Sequence, residues 1–475
     1  MKDFLAEKVR SGGSVAVLGF GRAGRAAVDF FLARGARISV YARELPDAGV
    51  LAPYLERGVR FAAGDFPACF TEDLIVRSPV LRPDIPPLRA SQAPVTDETQ
   101  LCLALTPAHT VGVTGSDGKT TTSSLVAAML TAGGKHTLLG GNNGVPLLPL
   151  IHALGHDDYA VLELSSFQLM GARQAPEIAV ITNITPNHLD WHTDFAEYVA
   201  AKRRILQGAL RAVLNVACAD AIGFDPATFP PTAFFARDAG TAPSLRACDT
   251  FCYARDGALW MQGAAGEEFV LSLQDFRLAG QHNIENLAAA VSAVWGVVPL
   301  EAIEVAACEF RGVAHRLQYV DTVCGVHYYN SSIDTSPTRT AAALLALGGS
   351  PLVIVGGRGK GISLSPLGDA LARHARAVFA YGDTRDEIAR AVAGRVPLSA
   401  HNRFADAFAA AAAAAVRGDT VLLSPGCTAF GEFRDFEERG EVFCRLVREL
   451  AERKREVGTE GIDPQNGGAD ERHGL

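Results

Sequence analysis

The chain has 475 residues, enough for roughly three domains of ordinary size, each with its own apolar core. Hydrophobic residues make up 48% and charged residues 20%, the balance of an ordinary globular protein rather than a disordered or fibrous one. A net charge of −8 argues against a nucleic-acid binder, and no block of Lys and Arg suggests a membrane-surface patch. The start, Met1-Lys2-Asp3-Phe4-Leu5-Ala6-Glu7-Lys8, lacks a signal-type apolar core, and no apolar run approaches the roughly 18 residues of a membrane span. A cytoplasmic protein without membrane insertion is expected. Nine cysteines lie at irregular positions, and the closest pair, Cys248 and Cys252, has no second pair for a zinc site, so reduced thiols are expected.

In chain order, residues 14–18 read as a buried strand that runs into Gly19-Phe20-Gly21-Arg22-Ala23-Gly24 and a helix over 25–35. GxGxxG between a strand and a helix suggests a Rossmann-like nucleotide site. The next strand, 37–43, ends without the acidic residue that holds an adenosine ribose, which disfavours NAD and fits a different diphosphate ligand better. The proline-rich stretch 78–87 predicts a loop, and a boundary falls near Leu105-Thr106-Pro107.

The second part opens on Thr110-Val111-Gly112-Val113, then Thr114-Gly115-Ser116-Asp117-Gly118-Lys119-Thr120-Thr121, then the apolar stretch 124–130. A short strand, a glycine turn and a helix present backbone N–H groups and a Lys ammonium to a polyphosphate, with the Thr120 hydroxyl for Mg²⁺. The common pattern has glycine where Val113 stands, and here Gly115 supplies the turn. The plainer alternative is a Gly-rich turn with a surface lysine.

Strands at 159–164 and 178–182 alternate with helices, which implies a mostly parallel sheet. Glu163, near a strand end, can reach a Mg²⁺ held by Thr120, although a helix N-terminal acid is the other reading. The polar turn Thr182-Asn183-Ile184-Thr185-Pro186-Asn187-His188-Leu189-Asp190-Trp191-His192 is a place for ligands of a second metal or a phosphate. Lys202, on a predicted helix, taken alone reads as a solvated charge.

A further boundary falls near Gly312-Val313, and strands at 352–355, 377–380 and 420–423 predict a third α/β domain. Ala409 to Ala415 predict a close-packed helix, since Ala has the highest helix propensity. The expected organisation is α/β with three domains: residues 1–105 Rossmann-like, 106–312 a central P-loop ATPase-type domain with a mostly parallel sheet, and 313–455 Rossmann-like. Residues 456–475 read as a disordered tail.

The motifs TGSDGKTTT at 114–122, GGNNG at 140–144, LELSSFQL at 162–169, TNITPNHLDWH at 182–192, AAKRRI at 200–205, GQHNIENLAAA at 280–290 and AHRLQYV at 314–320 resemble, in order, those of the Mur ligases. VDFFLARG at 28–35 and the domain order resemble the branch that adds D-glutamate. The resemblance implies an ATP-dependent amide ligase of peptidoglycan precursor synthesis, with UDP-N-acetylmuramoyl-L-alanine and D-glutamate as substrates, acting as a monomer. The alanyl carboxylate is activated as an acyl phosphate, and the glutamate amine then displaces phosphate.

By resemblance, Gly115, Ser116, Asp117, Gly118, Lys119, Thr120 and Thr121 hold the ATP phosphates, with Asn283 and Asn286 on the adenine side and Arg316 reaching ATP from the third domain. Two Mg²⁺ are implied, with Thr120 and Glu163 for the first, His188 for the second, and a carbamylated Lys202. Lys119, Glu163, His188 and Lys202 thus form the catalytic set. Gly19, Phe20, Gly21, Arg22, Ser78, Asn142 and Ser165 would meet the UDP-sugar, and Thr335, Lys360, Thr428 and Phe436 the amino acid.

Five positions depart from the pattern. Ser331 and Ile333 replace an Asp and a Lys of the better-known version, and Ala429 stands where a serine meets the glutamate carboxylate, with Thr428 as the candidate donor instead. Tyr41 and Ala42 stand in the uracil region, where Tyr41 could stack on the base. An L-glutamate ligase, a folylpolyglutamate synthetase and a non-catalytic nucleotide-binding protein are the alternatives. The long GxGxxG domain counts against the second, and the retained metal and lysine positions count against the third.

Overall fold

A computed structural model describes residues 13–241, 249–278 and 280–459. The chain forms two compact units, one running to Phe310 and one from Arg311, with Arg277–Gly280 grouped with the second. No helix among the described residues is long and apolar enough to cross a membrane.

The first unit holds two sheets. Five parallel strands lie in the order Arg60–Ala63, Arg37–Ala42, Ser14–Leu18, Leu74–Arg77, Val95–Thr96. Val15 and Val17 pack on one face with Phe30 and Phe31 of the helix Arg22–Leu32. Ala16 and Leu18 pack on the other face with Phe70, Ile75 and Leu88. This two-sided burial is why the strand reads as a continuous apolar run.

Nine strands make the second sheet: Gly266–Ser272, Ala258–Gly263, Thr250–Arg255, Thr232–Asp238, Arg211–Asn215, Ile178–Ile181, His109–Thr114, Tyr159–Glu163, Thr137–Gly141. The three strands after Asp238 end in antiparallel pairings at one edge, and the rest are parallel. The strand bearing the glycine loop is thus central. The second unit has one six-stranded sheet in the order Gln318–Val323, Val326–Asn330, Thr420–Gly426, Leu352–Gly356, Ala377–Tyr381, Leu398–His401, antiparallel only at the first pair.

Three local expectations change. The proline-rich stretch is a loop only to Ile85, because Pro86 and Pro87 open the helix Pro86–Ala90. Proline suits a first helical turn, where the missing N–H would have no partner. The alanine run forms the helix Phe404–Ala414 but is not closely packed all round. Ala411 is buried beside Ala407 and Phe408, whereas Ala409, Ala413 and Ala414 face solvent. The last helix, Phe436–Thr459, extends into the expected tail, and residues 460–475 lie outside the described part.

Candidate active site

The strand His109–Thr114 lies between Tyr159–Glu163 and Ile178–Ile181, with Val113 across from Glu163 on one side and Val180 on the other. At its end the backbone turns through Gly115 and Gly118, both at positive φ, into the helix Lys119–Ala132. A Cβ on Gly115 would collide with the Thr182 hydroxyl, and one on Gly118 with the Asn286 side-chain oxygen. Gly115 is therefore the glycine this loop requires, as the shifted spacing predicts. No acidic side chain occupies the first helical turn, which leaves the positive end of the helix dipole uncompensated and suited to an anion.

The turn after strand Ile178–Ile181 clasps this loop. Thr182 Oγ1 donates to the Asp117 carbonyl at 2.6 Å, and Asn183 Oδ1 accepts from the Asp117 N–H at 2.8 Å. Ser116 Oγ donates to the Thr185 carbonyl, accepts from the Thr185 N–H, both at 2.9 Å, and meets the Tyr198 hydroxyl at 2.8 Å. Asn286 Nδ2 donates to Asn283 Oδ1 at 3.1 Å, so both predicted adenine-side residues meet behind the loop.

Two lysines converge on one carbonyl. Lys119 Nζ donates to Gly115 O at 2.9 Å and Ser116 O at 2.8 Å, and Lys202 Nζ donates to the same Gly115 O at 2.7 Å. Lys202 is only 2% exposed. Burial first, and then the Lys119 charge, push its pKa well below the ordinary lysine value, against the opposing pull of Asp117 and Glu163. The solvated-charge reading of Lys202 therefore fails.

Glu163 is equally buried. Its Oε1 accepts from Asn142 Nδ2 at 2.8 Å, and its Oε2 has no partner. A buried carboxylate oxygen with nothing to accept from is costly unless a cation completes it, so the site fits a divalent metal. No cluster of three or more His, Cys, Asp or Glu forms among the described residues. The protein's own donors are thus a mixed set: Glu163, with Thr120 in the first turn of the loop's helix and His188 from the clasping turn. His188 adopts φ 54° and lies edge-on to Phe167, with ring centroids 5.0 Å apart. Although the residue is exposed overall, partial desolvation of the ring foremost lowers its pKa, with Asp190 opposing and both lysines adding, which favours the neutral imidazole that binds metals.

The GxGxxG turn faces the loop at 140–144. Gly19 N donates to Tyr41 O, and Ser78 N to Leu18 O, both at 2.8 Å, while Arg22 Nη1 lies 3.1 Å from where a Cβ on Gly144 would stand. Gly19 thus lies against Ser78, and Arg22 against Gly144, two residues from Asn142, whose side chain is taken up by Glu163. Phe20 differs: its ring packs edge-on against Tyr54 and Phe61 at 5.1 Å each, leaving only its backbone for a ligand. Ser165 caps the short helix Ser166–Leu169 through a reciprocal bond with Gln168. Tyr41 is half-buried: its hydroxyl donates to Glu72 at 2.9 Å and its ring lies edge-on to Phe70 at 5.1 Å.

One network here is not legible from the motifs. Arg82 Nη2 donates to Glu197 Oε1 at 2.8 Å and its Nη1 to Oε2 at 3.1 Å, while Asp84 takes a second pair of bonds. Arg82 foremost holds the Glu197 carboxyl down at about 2. Buried His192 bridges Glu197, at 3.3 Å, to Ser166 Oγ, at 2.9 Å. The proline-rich loop is thereby fastened to the turn that carries His188.

In the second unit, Lys360 Nζ donates to Thr335 Oγ1 at 3.2 Å, so these two predicted residues meet. Thr428 pairs with Arg358 through its backbone, and its hydroxyl donates to the Arg358 carbonyl at 2.9 Å, which commits the proton expected for a glutamate carboxylate. Ser331 Oγ is likewise engaged, accepting from Leu317 N at 3.1 Å. Phe436 lies edge-on to His315, with centroids 6.1 Å apart. Arg316 is exposed, beyond a small bridge with Val313.

Arg439 is the residue that motif reading missed. It is fully buried and donates to Ser332 Oγ and Ser332 O at 2.9 Å each, and to the Tyr381 hydroxyl and Cys427 O at 3.2 Å each. These contacts span the segments that carry Thr335 and Thr428. The signal was the spacing Phe436, Gly440, Phe443, Val447, a helix face on which an arginine at 439 also falls.

Residues 113–294 match the Mur ligase middle domain and residues 315–427 the Mur ligase, glutamate ligase domain. A UDP-N-acetylmuramoylalanine–D-glutamate ligase from Symbiobacterium thermophilum is 38% identical over 92% of this chain and 98% of its own length. One from Koribacter versatilis is 35% identical over 94% and 99%. Among solved structures, the UDP-N-acetylmuramate-alanine ligase MurC from Thermotoga maritima shares the fold at 17% identity and a TM-score of 0.51, covering 94% of this chain and all of that one. With the phosphate loop, the buried lysine and the metal-poised glutamate in place, the chain is an ATP-dependent Mur ligase and belongs to the UDP-N-acetylmuramoylalanine–D-glutamate ligase family.

Proposed function

We propose that the chain joins D-glutamate to UDP-N-acetylmuramoyl-L-alanine in the cytoplasm, cleaving ATP to form an acyl phosphate that the glutamate amine then attacks. A free carboxylate is a poor electrophile, and phosphorylation supplies a leaving group. Residues 1–105 take the UDP-sugar, 106–312 ATP, and 313–455 glutamate.

The observation that carries this reading is the buried pair Lys202 and Glu163 beside the phosphate loop. Lys119, anchored on two loop carbonyls, is placed to neutralise phosphate charge as it develops. Two Mg²⁺ would be held by Thr120 and Glu163 and by His188, and would screen the phosphates and the attacking carboxylate. A protonated Lys202 would repel such ions. Its lowered pKa favours the free amine, whose nitrogen adds to the carbon of CO₂ and loses a proton to give an anionic carbamate. That oxygen donor would complete a site for which the chain offers few carboxylates. Asn142 fixes one Glu163 oxygen and so aims the other.

The test is phosphate release from ATP with UDP-N-acetylmuramoyl-L-alanine and each glutamate enantiomer. Release dependent on D-glutamate is expected. A second reading, addition of L-glutamate, is favoured by Ala429 and by the commitment of the Thr428 hydroxyl to Arg358, and release with L-glutamate alone would establish it.

A further inference from the structure

A cavity of about 690 Å³ lies in the first unit, where the edge strand Val95–Thr96 meets residues 170–173 and the turn Arg204–Leu206. That volume is in the range that holds small-molecule ligands, roughly 300–1,000 Å³. None of Lys119, Glu163, His188 or Lys202 lines it.

Its charged walls are unbalanced. Arg77, Arg173 and Arg204 face Asp97 as the one carboxylate in the lining, an excess of two positive charges. Arg77 and Asp97 are both buried and already engaged: Arg77 donates to the carbonyls of Pro79, Leu81 and Phe167 and lies 3.6 Å from Asp97, which also accepts from Gln100 N. Arg173 and Arg204 are exposed, and neither guanidinium has an ion pair or hydrogen bond among the described residues. Two unpaired guanidiniums at the mouth of a cavity with Leu88, Val95 and Met170 in its walls are suited to acidic groups on a compact organic body.

We propose that this cavity binds a small organic dianion, a dicarboxylate or an organic phosphate, with Arg173 and Arg204 gripping its acidic groups. Its position gives binding a route to the reaction site. Arg204 follows Lys202 by two residues, and residues 170–173 follow the helix capped by Ser165, so an occupant fastens both elements to the first sheet at once. The site lies apart from the residues that meet ATP and from those that select the glutamate enantiomer.

The test is calorimetric titration of the full chain in metal-free buffer with two probes, phthalate as a dicarboxylate and glucose 6-phosphate as an organic phosphate. Lys119→Ala and the double charge reversal Arg173→Glu with Arg204→Glu serve as controls. Both reversed positions are exposed, and an unchanged melting temperature shows that the fold is kept. Binding of at least one probe is expected, unaffected by Lys119→Ala and weakened about tenfold or more by the double reversal. The probe that binds identifies the ligand chemistry. No binding by either probe, equal affinity in the double reversal, or loss in Lys119→Ala would each overturn the proposal, the last because it locates the anion on the phosphate loop.

Discussion

Lys202 carries two opposed demands, and burial resolves them. As an ammonium it would sit unsolvated against Lys119, so the folded protein favours the neutral amine. The linkage has a definite sign. Between the lowered folded pKa and the unfolded value of 10.5, the unfolded chain binds the extra proton, so stability rises with pH across that window. Lys202→Met removes the group and should raise the melting temperature at pH 7 while flattening this pH dependence, as scanning calorimetry from pH 6 to 10 would reveal. An unaltered slope would mean that the lysine is charged in the fold. Activity should fall by about a hundredfold or more. In Lys202→Ala, added acetate or formate should restore part of it by standing in for the carbamate, and full activity without them would refute the role. Sequence alone could not supply this electrostatic argument, because Lys202 is buried against the loop at Gly115, 87 residues away, as well as under Tyr198 of its own helix. The hydrogen bond from Tyr41 to Glu72, 31 residues away, was out of reach of the sequence for the same reason.

At the scale of elements, strands buried on both faces were legible as continuous apolar runs, and the glycine turns that end them were legible from spacing. The strands Thr250–Arg255, Ala258–Gly263 and Gly266–Ser272 were not, since an edge meander exposes residues such as Phe269 and breaks the alternation. The helix Phe436–Thr459 shows what an element contributes beyond its motif. Phe436 was noticed, but Arg439, one turn on, is the residue that cross-links Ser332, Tyr381 and Cys427. Hydrogen bonds from a charged donor are worth about 1.5–3 kcal/mol each, and no carboxylate is needed when carbonyls and hydroxyls surround the guanidinium. Arg439 is thus a positioning residue for Thr335 and Thr428. Arg439→Lys should raise the KM for glutamate about tenfold and leave the KM for ATP within about twofold, because the phosphate loop belongs to the other unit. Ser332→Ala, a milder change in the same network, should move the glutamate KM in the same direction. If both variants lower stability and leave the glutamate KM unchanged, Arg439 serves the fold alone.

The whole molecule consists of two units with separate cores, one holding the phosphate loop and the other Thr335, Lys360 and Thr428. The mostly parallel sheets were readable from the alternation of strands and helices, whereas strand order was not, because crossover connections bring together segments distant in the chain. Separate cores make a single all-or-none transition unexpected. ATP with Mg²⁺ should raise the transition of the first unit, by about 2.7 kcal/mol at a hundredfold excess over its Kd, which is roughly 5 °C for a unit of this size. A chelator should shrink the shift, because the orphaned Glu163 oxygen requires the cation to contribute. Lys119→Ala should abolish most of it. Calorimetry of the full chain decides the matter: an equal shift in Lys119→Ala would remove the phosphate loop from nucleotide binding. A shift confined to the second transition would assign the dominant nucleotide contacts to the unit that holds Arg316.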